Sequence, residues 1–218
     1  MQQQAVYLRL HLSDRVTFSF GTAHYITPGN LSNRAVQLEA DDSSEFGGVS
    51  FGIPAGTTVA DLDSLSTDYR FPAGSTCGGG SPRFQIAVDN DNDSSTAAKN
   101  IFVYIGPPPS YTGCPAGAWS NTTNLIDPTD LVDATQLGGL FYQPWASVEV
   151  AYGTLPVVGV SVVTDTFAGP RTVDVDNTDV DGTVYDYEFD NKEDCKKGGW
   201  QNFTFAPGPF KNQGECVS

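Results

Sequence analysis

Residues 83–105 read RFQIAVDNDNDSSTAAKNIFVYI. Apolar side chains recur at every second position from Phe84 to Val88 and again from Ile101 to Ile105. Because successive side chains of a strand point to opposite faces of a sheet, this alternation predicts two strands that each bury one face. The stretch between them is rich in Asp, Asn and Ser, which favour turns, so the segment predicts two β-strands and their connection.

The same period of two recurs along the chain, and groups rich in Gly, Pro, Asn and Asp separate the runs. About ten short strands spaced by turns predict an all-β fold, an antiparallel β-sandwich of jelly-roll-like form. Helix signals are few: Asp127–Asp133 has a possible N-cap residue, then a proline at the first helical position and an acidic first turn, and Thr58–Leu62 fits a single turn. The further alternating runs are Val6–Leu12, Val16–Phe20, Val36–Leu38, Val49–Ile53, Val148–Tyr152, Val158–Val162 and Val173–Val175.

The chain is strongly acidic, with 26 Asp and Glu against 11 Lys and Arg and a formal net charge of −15. Proteins that bind nucleic acids or anionic membrane surfaces do so largely through Lys and Arg, so the charge argues against both partners. No apolar run approaches the ~20 residues that a spanning helix needs, and we therefore expect no membrane insertion.

The four cysteines, Cys77, Cys114, Cys195 and Cys216, suit two disulfides. Sequence alone allows three connectivities, and we favour the local pairing, Cys77–Cys114 and Cys195–Cys216. A zinc site is the competing interpretation, but the chain has no CxxC pair and its His residues lie far from every Cys. Because disulfides form in oxidising compartments, we expect a secreted, extracellular or cell-surface protein.

The composition changes near Asp190, where the chain becomes basic and rich in glycine. We therefore predict a β-sandwich domain at residues 1–186. A short disulfide-closed C-terminal tail at residues 187–218 is expected to pack on it.

Acidic residues at alternating positions are candidate calcium ligands. Asp89, Asp91 and Asp93 form a D-x-D-x-D loop, which offers three carboxylates besides carbonyls to an ion that takes six to eight oxygens. Asp174 and Asp176 share one strand face, where like charges repel unless a cation or water separates them. A solvated turn without metal is the alternative for the loop.

Aromatic residues in or beside Gly- and Pro-rich loops are candidate ligand contacts. Sugar CH faces stack on aromatic rings while Asn, Asp and Gln edges bind hydroxyls, so these rings predict a surface for a glycan or polysaccharide. The alternative is that they cap the ends of the sandwich and are buried there. The candidates are Tyr111, Trp119, Tyr142 and Trp145, with Tyr104 nearby.

Signals for catalysis are sparse. The sequence has no GxSxG elbow, HExxH helix or phosphate-binding GxxxxGK[ST] loop. Paired carboxylates of a glycoside hydrolase stay open, because sequence does not give their separation in space. For a polysaccharide lyase, Arg83 with Tyr104 is the pairing to consider.

Several motifs resemble a bacterial domain family. GGGSPRF (78–84), CKKGGWQNF (195–203) and FKNQGECVS (210–218) are similar to a domain of secreted and cell-surface bacterial proteins whose activity is not settled. TVDVDNTDV (172–180) resembles more distantly the closing strand of jelly-roll carbohydrate-binding modules. That likeness implies a structural calcium held by Asp174 or Asp176.

Together these observations predict an extracellular, calcium-stabilised module that binds carbohydrate or attaches to a surface. One alternative is a structural subunit of a filament, surface layer or adhesin that self-associates by strand pairing, with residues 1–12 as donor strand. The other is a polysaccharide lyase or glycoside hydrolase.

Overall fold

A computed structural model describes residues 8–12, 15–91, 93, 96–188, 195–202 and 209–217, with side chains from Ser19 onward except that of Asn202. Val6, at the start of the first alternating run, lies outside this range.

The described chain is built mainly of short strands. The strands are β1 (Leu8–Leu12), β2 (Arg15–Ile26), β3 (Ala35–Ala40), β4 (Phe46–Phe51), β5 (Leu65–Arg70), β6 (Arg83–Val88), β7 (Lys99–Tyr104), β8 (Ser120–Asn121), β9 (Leu131–Val132), β10 (Gln143–Pro144), β11 (Val157–Asp165), β12 (Arg171–Val180) and β13 (Thr183–Tyr185). The α-helices are α1 (Trp145–Tyr152) and α2 (Gln213–Val217), and short 3-10 turns lie at Val59–Asp61, Thr135–Leu137 and Lys196–Asn202.

Eleven of the strands form one antiparallel sheet in the order β7-β6-β11-β4-β2-β3-β12-β5-β8, with β1 beside β2 and β13 beside β12. The long strand β2 joins the two halves, because Thr17–Gly21 pair with β4 and Thr22–Ile26 pair with β3. We call β1, β4, β11, β6 and β7 the β7 half, and β3, β12, β5, β8 and β13 the β12 half. The antiparallel β class is confirmed, and the sheet is a continuous curled half-barrel, not clearly two separate sheets.

The core lies on the inner face of the curl. Val49 and Phe84 of the β7 half share one apolar cluster with Leu38 and Val173 of the β12 half. The period of two is therefore real in both halves, and the opposite, outer face is left to carry polar and aromatic side chains.

Helix α1 corrects the interpretation of Val148–Tyr152 as a strand. Trp145 and Val148, three residues apart, are buried together, while Val150 is 89% exposed. That spacing places the buried residues on one helical face, and the alternation of valines imitated a strand pattern.

The helix predicted at Asp127–Asp133 is wrong. The backbone turns instead, as Asp130 donates its N–H to the carbonyl of Asp127, and β9 then pairs with β10. The hydrogen bonds between β9 and β10 therefore determine the structure here, although the sequence has the residues that usually begin a helix. The single turn predicted at Thr58–Leu62 is confirmed at Val59–Asp61.

Both disulfides follow the local pairing, Cys77–Cys114 and Cys195–Cys216. The chain stays part of the core beyond residue 186, since the side chain of Tyr187 is fully buried in the apolar cluster. No helix among the described residues is long and apolar enough to cross a membrane.

Candidate functional site

An aromatic cleft lies on the outer face of the β7 half. Arg83 and Tyr104 are register partners on β6 and β7, and Phe102 lies two residues before Tyr104 on the same face. The rings of Phe102 and Tyr104 stack with centroids 6.5 Å apart. These strands form the floor of the cleft.

Two loops raise aromatic walls above this floor. Tyr111 packs on Tyr104 with ring centroids 4.4 Å apart, and Phe141 meets Tyr142 edge-on at 4.7 Å. The cleft has a volume of about 530 Å³, within the range of pockets for small ligands. Phe167 forms its far side and is 86% exposed.

The glycines of GGGSPRF allow the chain to approach the floor closely. Gly80 has φ +76°, and a Cβ atom there would lie 2.6 Å from the ring of Tyr104. Arg171 holds this loop through bonds from its guanidinium to the carbonyls of Gly78 (2.6 Å) and Ser81 (2.9 Å). Only glycine fits at residue 80 without displacing the ring.

The Arg83–Asp165 ion pair supplies charge inside the cleft. Arg83 Nη1 lies 2.6 Å from Asp165 Oδ2, and its guanidinium lies 5.0 Å from the ring centroid of Phe102. The charges of this pair compensate each other. Fixed donors and acceptors therefore sit beside aromatic faces without a strong net field.

Tyr104 and Tyr111 of the cleft stay protonated at neutral pH, because the pKa of each is raised. Tyr104 donates its hydroxyl to Asp133 Oδ2 at 2.8 Å, and burial together with that bond raises the pKa of Tyr104. Burial, with the neighbouring Tyr142 and Asp133, raises the pKa of Tyr111 to about 12. Neither phenol is suited to act as a base.

The structure brings together only part of the predicted aromatic set. Tyr111 and Tyr142 line the cleft. Trp145 is 2% exposed and belongs to the core, whereas Trp119 lies by the β12 half with the guanidinium of Arg70 over its ring at 4.8 Å. Phe141 and Phe167 were missed, although each stands in a glycine-containing loop, which was the available signal.

The predicted ligand Asp174 has strong protein partners. It is 1% exposed and forms an ion pair with Arg70 at 2.7 Å. Gln37 Nε2 donates to its other oxygen at 2.6 Å. Its neighbours on β3 and β5 therefore compensate the buried charge.

Asp176 is fully buried on the same outer face of the β12 half. Its Oδ2 accepts from Ser32 Oγ at 2.6 Å and from the N–H of Asn30 at 2.8 Å, while Oδ1 accepts from the N–H of Asn177 at 2.8 Å. Its strand partner Asp68 accepts from the side-chain amides of Asn30 and Asn177 at 2.8 Å. Amides thus bridge the two carboxylates.

The described residues of the loop at 89–93 form turn-like hydrogen bonds among themselves. The N–H of Asp91 donates to Asp89 Oδ1 at 3.3 Å, and that of Asp93 donates to Asp91 Oδ1 at 3.1 Å. Thr96 Oγ1 lies 2.9 Å from Asp91 Oδ2. Over the described residues, no group of three or more His, Cys, Asp or Glu is arranged to hold a metal ion.

Comparisons with protein-family models, with curated proteins and with solved structures gave no match.

Proposed function

We propose that the protein is an extracellular carbohydrate-binding module, a jelly-roll-like sandwich that attaches to glycans through the aromatic cleft. The observation that carries the proposal is the open aromatic wall of Phe141, Tyr142 and Phe167, which are 41%, 44% and 86% exposed. Exposing large rings beside one another costs free energy in water, so such a patch is retained where a ligand covers it.

The polar groups of the cleft favour a sugar over a purely apolar ligand. The Arg83–Asp165 pair lines the cleft together with the rings, and the hydroxyl of Tyr142 donates to the carbonyl of Pro109 at 2.7 Å. Aromatic faces with a few fixed donors and acceptors match the alternating CH and OH surfaces of a glycan.

Binding is favoured over catalysis because the groups of the cleft are already engaged. Arg83 pairs with Asp165, and Tyr104 is a protonated donor to Asp133. Assembly by strand pairing has less support, since Leu8–Leu12 pairs with β2 of its own chain. Two disulfides support the extracellular assignment.

Substitution of Phe167 by Ala is expected to weaken glycan binding by about tenfold, because it removes one exposed aromatic contact. The measurement is affinity electrophoresis and pull-down with cellulose, chitin, xylan and mannan. The Tyr142→Ala variant should behave similarly.

Trp119→Ala is the matched control, since Trp119 is aromatic but lies outside the cleft. Binding should be retained in this variant. If Trp119→Ala loses binding while Phe167→Ala binds fully, the glycan site lies outside the cleft. If the wild-type protein binds none of the four polysaccharides, the proposed function is wrong.

We also propose calcium binding at the exposed 89–93 loop, and not at Asp174 or Asp176, which are buried among their protein partners. The loop borders a hollow of about 250 Å³ lined by Asp89, Asn90 and Asp93. Backbone and amide carbonyls would complete a ligand set that the carboxylates alone do not supply.

Calcium at about one hundred times its Kd is expected to add about 2.7 kcal/mol to the free energy of unfolding. The measurement is the thermal midpoint with calcium and with chelator. Asp91→Asn should abolish the difference, whereas Asp42→Asn, in another exposed loop, should keep it. Equal midpoints with calcium and with chelator in the wild type would contradict the proposed site.

A further inference from the structure

The outer face of the β7 half continues past Phe167 into a second cavity of about 460 Å³. Arg83, Asp165 and Phe167 line both this cavity and the aromatic cleft. Phe20 and Phe46 belong to the second cavity alone. The two hollows are therefore adjacent parts of one surface with shared central residues.

Strand register shows how far this surface extends. Tyr104, Arg83, Val163, Gly48 and Phe20 are successive register partners on β7, β6, β11, β4 and β2. Neighbouring strands lie about 4.8 Å apart, so this row spans about 19 Å. A single sugar ring covers only a fraction of that length.

The far end of the row is a second aromatic platform. Gly48 has no side chain, and the ring of Phe20 lies over it, since a Cβ atom there would be 2.2 Å from the ring. Phe46, which is 41% exposed, stands beside Phe20 with ring centroids 6.0 Å apart. Rings thus mark both ends of the row, with Phe167 between them.

The charges along the row select against ionic ligands. Arg83 and Asp165 compensate each other at 2.6 Å, and Glu45 is the further charged residue lining the two cavities. The whole chain carries −15. A polyanion would be repelled, and the described residues that line the two cavities include no cluster of carboxylates that would hold a polycation.

We propose that the two cavities form one groove that binds an extended, uncharged polysaccharide chain across β7, β6, β11, β4 and β2. Tyr142 contacts one end of the bound segment, Phe167 its middle, and Phe46 the other end. The inference rests on the proposed glycan-binding function and adds the class of ligand, a neutral polymer, and the length that it occupies.

The test uses titration calorimetry with ladders of β-linked glucose, N-acetylglucosamine, xylose and mannose, from disaccharide to hexasaccharide. For the ladder that binds, affinity should rise about tenfold or more between disaccharide and hexasaccharide. Phe46→Ala should lower the affinity for the hexasaccharide by about the same factor and change the affinity for the disaccharide by no more than about twofold. Val150→Ala, which removes an exposed apolar side chain on α1 that lines neither cavity, should alter neither affinity.

Phe167→Ala separates the two proposals. One outcome is that Phe167→Ala weakens the binding of oligosaccharides of every length, while wild-type affinity stops rising at the disaccharide and Phe46→Ala has no effect. In that case the cleft binds glycan, and the proposal of an extended groove is wrong. If wild-type protein binds none of the ladders, both proposals fail. If the protein instead binds a Lys-rich peptide, and salt weakens that binding, the proposal that the ligand is uncharged is wrong.

Discussion

The stability of the protein is expected to decrease, relative to that of an Asp176→Asn variant, as the pH rises from about 4 to about 7. Asp176 is fully buried, and this burial raises the pKa of its carboxyl group to about 7, helped by the nearby charge of Glu188. Hydrogen bonds from Ser32, Asn30 and Asn177 oppose the shift without cancelling it.

The direction follows from proton linkage. The folded carboxyl group holds its proton up to about pH 7, whereas the unfolded one releases it near pH 3.9, so the folded state binds more protons between these values. Raising the pH through this window therefore favours unfolding, by at most about 4 kcal/mol for this group. The amide introduced by Asp176→Asn cannot ionise, so the variant lacks that dependence.

The charged groups around Asp176 do not reverse the sign. Asp68 and Glu188 add negative charge, and both are already hydrogen-bonded, Asp68 to Asn30 and Glu188 to the backbone of Asn33. Arg34, two residues after Ser32, uses its guanidinium to bond to the carbonyls of Tyr187 and Glu188.

Urea unfolding of both proteins across the pH range measures the effect. The quantity of interest is how the difference between their free energies of unfolding changes with pH. Any misfit of the amide in the variant changes that difference by the same amount at every pH and does not affect its slope. Asp42→Asn makes the same substitution in an exposed loop and is the matched control, for which no slope is expected. A flat difference for Asp176→Asn would mean that the folded carboxyl group ionises normally.

The sequence predicts strands well where burial of one face decides the structure. Phe84, Ile86 and Val88 are all fully buried, as are Val173 and Val175, because the inner face of the sheet is lined mainly by apolar side chains. The same criterion failed at Val148–Tyr152, since valines two residues apart fit a strand, while the burial of Trp145 and Val148 together fits a helix.

The pairing between strands that are distant in the chain could not be predicted from the sequence. Asp174 and Asp176 were predicted on one strand face, and they are, but the neutralisation of Asp174 depends on β5 bringing Arg70 beside it. Similarly, Tyr111 and Tyr142 could be chosen from their loops. The joining of those loops with Phe141 and Phe167 depends on the curl of the whole sheet.

Removal of the Cys77–Cys114 disulfide by a double Ser substitution is expected to lower the free energy of unfolding by about 3–4 kcal/mol. The bridge closes a loop with a sequence separation of 37, so its loss frees the unfolded chain. It also anchors the segment that carries Tyr111, as the N–H of Cys114 donates to Cys77 Sγ at 3.0 Å.

The second consequence is expected in the cleft. Tyr111 is 4% exposed, packs on Tyr104 and stacks near Tyr142, so release of its loop should disturb the aromatic wall and weaken glycan binding. The control is the double Ser variant of Cys195 and Cys216, whose separation of 21 predicts a stability loss of about 3 kcal/mol with the cleft intact. Urea unfolding should therefore show a loss of stability in both variants. Glycan titration should show a loss of affinity only in the variant that lacks the Cys77–Cys114 bridge. Equal affinity in the two variants would show that the cleft keeps its shape without the bridge, and the role of Cys77–Cys114 would then be confined to stability.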